Sequence, residues 1–162
     1  ERRRTMSIFL WMGLIIGTLI VQATVIPLIF TGGIRPDLLL IVTVSAGLLF
    51  GKERGVGVGF FAGLIQDLGS GGILGLNTLA KLAIGYLSGM IEQKVFKENI
   101  FLPLLTITVA TFINSFITYV LLFILGQEVD LAAMIVRNLW PVLFYNILFV
   151  IPVHRLVCKV SA

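Results

Sequence analysis

Residues able to do chemistry are scarce in this 162-residue chain, and their spacing excludes most of what they could do. His154 is the single histidine and Cys158 the single cysteine, so neither a zinc tetrad nor a disulfide scaffold can be assembled. His154 precedes Arg155 at the end of an apolar stretch, where headgroups and cytosol solvate both; this suits an interfacial residue better than a catalytic one. Cys158 beside them is a position for acylation, although a lone thiol is a weak signal. No clustered carboxylates and no set of nucleophile, base and orienting group emerge. Nothing in the residue types points to an enzyme, a cofactor or a metal.

The richest segment is residues 66–77, Gln-Asp-Leu-Gly-Ser-Gly-Gly-Ile-Leu-Gly-Leu-Asn. Its four glycines permit backbone conformations closed to other residues. A phosphate-cradling loop would need a following Lys-Ser or Lys-Thr and a preceding strand, and neither is present. Lys81 lies about five residues deeper than the level at which Asp67 meets the next apolar stretch, an offset of about 7 Å and within reach of a snorkelling lysine. An Asp67–Lys81 pair is therefore expected. An ionisable group inside a span costs roughly 2.5–3.5 kcal/mol on insertion scales and is a functional candidate by default. Substrate or proton handling usually shows more intramembrane carboxylates, which favours a structural clamp and leaves the functional reading open. Gln22, Asn77, Asn114 and Asn146 are neutral groups suited to hydrogen bonding between helices, each worth roughly 0.6 kcal/mol.

These residues have to be positioned by apolar elements, because 58% of the chain is hydrophobic and only 12% charged. With a mean hydropathy of +1.07, the chain lacks the charge to clothe a water-facing surface, so it is read as an all-α, polytopic integral membrane protein. The net charge of +4 does not indicate nucleic acid, since the basic residues form short clusters between apolar stretches. A single membrane domain over residues 1–162 is expected, with six spans near 8–30, 34–51, 55–70, 74–91, 101–125 and 140–157. The second and third are short against the roughly 20 residues a span needs, and a re-entrant pair is the alternative. Residues 8–30 are read as a retained helix, because Ile29-Phe30-Thr31 is no small-residue cleavage site. Residues 126–138 are expected to form a short helix along the outer face, capped by Asp130. Trp11 and Trp140 fit the interfacial aromatic belts.

Glycines recur at four-residue spacing as Gly13 and Gly17, Gly47 and Gly51, Gly55, Gly59 and Gly63, and Gly85 and Gly89. In lipid such ridges let another backbone approach closely, either within the bundle or from a partner. Internal packing is the reading for most of them. Gly13 and Gly17 are the candidate partner interface, since a terminal helix is easily left at the bundle edge.

Pro36-Asp37-Leu38-Leu39-Leu40, Gly63-Leu64-Ile65-Gln66-Asp67, the run from Ser70 to Asn77, and Gly85-Tyr86-Leu87-Ser88-Gly89 together resemble the MreD family of bacterial rod shape-determining membrane proteins. The resemblance marks Asp37, Asp67, Gly71, Gly72, Asn77 and Lys81 as structural motif residues. It implies a non-enzymatic scaffold of the elongation machinery (elongasome) in the cytoplasmic membrane, without a cofactor, that binds MreC and supports rod shape and peptidoglycan synthesis. MreC has one span and a periplasmic domain; the further partners implied are the MreB filament, RodA, a penicillin-binding transpeptidase and membrane lipids. The family is also similar in fold to the substrate-binding S-components of energy-coupling-factor vitamin transporters, which supplies the alternative function.

Orientation follows from the basic residues. With an inner N-terminus, nine of the twelve (Arg2, Arg3, Arg4, Lys52, Arg54, Lys94, Lys97, Arg155 and Lys159) are cytoplasmic, Arg35 and Arg137 are outside, and Lys81 lies within a span. Both termini are thus expected in the cytoplasm. Cysteines placed at positions 52 and 97 should resist an impermeant thiol reagent in intact spheroplasts; labelling of either would sink the six-span topology.

Overall fold

A helix that is hydrophobic on every side has no face to give to water and must be buried all round. Residues 38–48 meet that condition, and the rest of the chain is arranged around them. The computed structural model describes residues 2–30, 32–91 and 100–161, so Lys94 and Lys97 of the charge count lie outside the described residues. Every regular element among the described residues is helical.

Helix α1 (Arg2–Ile20) runs through a π-helical stretch (Val21–Val25) into α2 (Ile26–Ile29), forming one rod. Helix α3 (Leu38–Phe50) is joined to α4 (Lys52–Ser70) by Gly51 alone, whose φ of 84° reverses the chain in a single residue. Helix α5 (Leu76–Met90) follows the glycine turn, and α6 (Phe101–Ile124) follows α5. The last rod is α7 (Leu131–Ala133), a π-helical stretch (Met134–Leu139) and α8 (Trp140–Ser161). Six rods therefore follow one another among the described residues. Three stretches are long and apolar enough to cross a membrane: Ile8–Ile29, Phe101–Ile124 and Leu131–Val160.

Residues 126–138 do not form the separate surface helix expected of them. Asp130 does cap, accepting from Ala132 N at 3.0 Å, but the helix it starts continues unbroken into α8. The charged and polar residues of this segment occupy the first turns of a long rod. Both π-helical stretches end two residues before a proline, Pro27 and Pro141. A proline ring clashes with the carbonyl four residues earlier, and a widened turn removes that clash without breaking the rod.

Around α3 the core divides in two. Leu40, Ile41, Val44 and Leu48 pack with Ile84 of α5, Ile107 and Ala110 of α6, and Val150 of α8. On the other side Leu39, Val42 and Ala46 pack with Ile15 of α1, Val58 and Ala62 of α4, and Val157 of α8. Helices α4 and α5 meet through glycine. A Cβ on Gly55 would strike the carbonyl of Gly85, one on Gly59 the carbonyl of Lys81, and one on Gly63 the backbone of Thr78. Gly85 and Gly89 face Gly55 and Lys52 in the same way, and Gly47 faces Ser88 and Gly89. These ridges serve the bundle itself, bringing backbones together where lipid offers no hydrophobic drive. Gly13 and Gly17 differ: nothing lies within 4 Å of a Cβ built on either.

Gly57 and Gly59 on α4 separate the two effects, because Gly57 faces open space. Gly59→Ala should lower the thermal midpoint in detergent, with overpacking against backbone costing about 1–3 kcal/mol. Gly57→Ala should leave it unchanged or raise it, through the roughly 0.5–1 kcal/mol that alanine gains over glycine inside a helix. Equal effects would show that α4 and α5 are not in backbone contact.

Candidate functional site

The glycine turn is built on Asp67. Helix α4 ends at Gly71 and α5 begins after Gly75, with φ of 65° and 97°, so two of the four glycines use the left-handed region that other residues avoid. This return aims the free N–H groups of α5 at the last turns of α4. The Asp67 carboxylate, buried at 1% exposure, accepts from Gly75 N at 2.9 Å, Asn77 N at 3.0 Å and Thr78 N at 3.1 Å. The Asn77 amide at 3.0 Å and the Thr78 hydroxyl at 2.7 Å complete five bonds to one side chain. A negative group at the positive end of a helix needs no cation to hold it there.

Lys81 consequently pairs elsewhere. Its Nζ lies 2.8 Å from Asp37 Oδ2, with the lysine side chain fully buried and Asp37 14% exposed. The expected Asp67–Lys81 pair is thus corrected: Asp67 is saturated by the start of α5, and Lys81 sits one turn further along, level with the start of α3. Asp37 also caps α3, accepting from Leu40 N at 3.0 Å. Its own N–H donates to Asn146 Oδ1 of α8 at 2.8 Å, and Asn146 Nδ2 donates to Thr111 Oγ1 of α6 at 3.0 Å. Gln22, in the first π-helical stretch, accepts from Leu38 N at 2.8 Å. Three other rods therefore contribute side chains to the beginning of α3, and α6 supports one of them through Thr111.

Of the four neutral polar residues singled out from sequence, Gln22, Asn77 and Asn146 make these bonds, whereas Asn114 Oδ1 is buried without a partner among the described residues. His154, expected at the headgroups, turns inward: its Nδ1 is 2.9 Å from the buried Ser45 hydroxyl of α3. That contact had no sequence signal, because Ser45 reads as one small residue in an apolar run. Gly71 and Gly72 are exposed in the turn, and Gly13 and Gly17 are exposed on α1.

At 13 residues α3 is about 20 Å long, roughly 10 Å less than the hydrocarbon core. Beside its start lies a cavity of about 380 Å³, bordered by Gln22, Arg35, Asp37, Gln66, Asn114 and Asn138 among others. No group of three metal-ligating side chains occurs among the described residues.

Residues 2–160 match the family model of rod shape-determining protein MreD. The chain belongs to the MreD family. Comparison with curated proteins and with solved structures returns no match. MreD is a family of shape-determining membrane proteins and not a known enzyme family, so a role in rod shape determination follows, and the apolar rods agree with a membrane location. In this chain Asp37, Asp67, Gln22, Asn77 and Asn146 are occupied at helix starts.

Asp37→Asn should leave Lys81 buried without its counter-charge, and Lys81→Met should leave the Asp37 carboxylate without its cation. Removing both should cost less than the sum, with a coupling of about 1–3 kcal/mol in a thermal-stability cycle in detergent. The same cycle between positions 67 and 81 should couple more weakly. The reverse order would restore the Asp67–Lys81 pair.

Proposed function

We propose that this protein is a non-enzymatic membrane scaffold of the bacterial elongation machinery, binding the single span of MreC and thereby supporting rod shape and peptidoglycan synthesis. The reading rests on membership of the MreD family together with one observation: Gly13 and Gly17 form a glycine ridge with no atom of the described residues within 4 Å of a Cβ built on either. Phe9, Ile16 and Ile20 on the same helix are also exposed, so the ridge lies in an apolar surface. Lipid solvates apolar side chains as well as another helix does, so a partner is preferred only through close fit, which a glycine groove permits. MreB, RodA and a penicillin-binding transpeptidase would act through the same complex.

The proposed setting is the inner membrane, crossed six times within one domain, with both termini cytoplasmic. Support comes from the exposed Lys52, Glu53 and Arg54 where α3 turns into α4, and from Arg35 and Arg137 at the opposite end. The second reading is an S-component of a vitamin transporter, to which MreD is proposed to be similar in fold. The cavity above Asp37 favours it; the family match favours the scaffold.

Gly13→Leu combined with Gly17→Leu should reduce co-purification of MreC several-fold while membrane abundance and thermal midpoint stay at the wild-type level. Unchanged MreC recovery by a stable variant would exclude this ridge as the contact. Recovery of ATPase subunits with a vitamin, in place of MreC and the wall synthases, would support the S-component reading.

A further inference from the structure

The cavity above Asp37 has properties that packing alone does not explain. Gln66 Oε1 and Asn114 Oδ1, both on residues bordering it, are buried acceptors with no donor among the described residues. Buried acceptors are nearly always met, and an unmet pair at one cavity calls for donors from outside the fold, either water or the hydroxyls of a ligand that displaces it. Charge adds a second demand. Asp37 is balanced by Lys81, whereas Arg35 has no carboxylate partner among the described residues, so the lining carries one uncompensated positive charge. Ser70, Ser115 and Thr118 supply hydroxyls around the same space.

Shape points the same way. Both π-helical stretches border the cavity, one through Gln22 and Ala23, the other through Met134 and Asn138. Such turns are frequent at functional sites, where a widened helix presents side chains that a regular one would turn away. A volume of about 380 Å³ exceeds the share of about ten liquid waters and falls within the range of small-ligand pockets.

We propose that this cavity binds a hydroxyl-bearing phosphate anion of phosphoglycerol type. The hydroxyls donate to Gln66 and Asn114, and the anion lies against the Arg35 guanidinium in a charge-assisted contact. An ammonium-bearing headgroup is disfavoured, since it would set a second cation beside Arg35 and above Lys81. The same chemistry is available from an anionic phospholipid headgroup and from a free glycerol phosphate.

The full chain purified in detergent tests this. Thermal midpoint is measured on titration with soluble glycerol phosphate, and separately in mixed micelles containing phosphatidylglycerol, phosphatidylethanolamine or phosphatidylcholine. Saturable stabilisation by glycerol phosphate identifies a free ligand; stabilisation by phosphatidylglycerol alone identifies a headgroup. Either response should weaken about tenfold in apparent affinity in Arg35→Gln, whose exposed side chain can be changed without disturbing the core, and in Asn114→Leu. Midpoints without ligand establish that both variants are folded. Absence of stabilisation by both glycerol-bearing probes, equal stabilisation by the ethanolamine or choline lipid, or an undiminished response in folded Arg35→Gln would each overturn the assignment.

Discussion

Two helices of this bundle begin inside protein, and the first N–H groups of a helix have no partner within the helix itself. In a membrane interior no water replaces them, and each unmet group is costly. The fold answers this twice with a carboxylate. Asp67 gathers the N–H groups at the start of α5, and Asp37 caps α3 while Gln22 accepts from Leu38 and Asn146 accepts from Asp37 itself. Lys81 then neutralises the one carboxylate that the backbone leaves partly unmet. The gathering of Gln22, Asp37, Lys81 and Asn146 at the start of α3 follows from this requirement.

The glycine ridges make the arrangement reachable. Lys81 comes level with Asp37 on α5, a helix held within backbone contact of α4 by Gly55, Gly59 and Gly63. A bulkier ridge would move α5 outward and lengthen a 2.8 Å ion pair between residues on different helices. Close packing and charge pairing are thus two aspects of one geometry, and the inward ridges have a duty that the outward pair on α1 lacks.

Much of this was legible in the sequence. Asp67, Asn77 and Lys81 stand out because polar groups among apolar ones are expensive, Asp37 is marked only by the family resemblance, and the internal use of most glycine ridges follows from their spacing. The Asp67–Lys81 pairing expected from sequence differs from the observed one because a depth estimate along two helices ignores where a third one starts; Pro36-Asp37 marks that start, but only the assembled bundle places it beside Lys81. Residues 126–138 were read as a surface helix because their polarity breaks the apolar pattern, whereas a helix in a bundle accepts polar turns wherever they face a cavity or the bundle end. Pro27 and Pro141 were available as signals for the widened turns. The His154–Ser45 contact was not legible, since nothing in either residue's surroundings along the chain indicates the other.

The Asp37–Lys81 pair joins residues 44 positions apart, and this separation bears on biogenesis. Helix α3 leaves the ribosome with an aspartate at one end and a cation-bearing turn at the other, and it is too short to span the core by itself. Its counter-charge is synthesised only after α4 and the glycine turn. Until α5 is made, the Asp37 carboxylate at the start of this apolar helix has no Lys81 to pair with, so the ion pair that ties α3 to α5 can form only after α4 and the glycine turn have been synthesised.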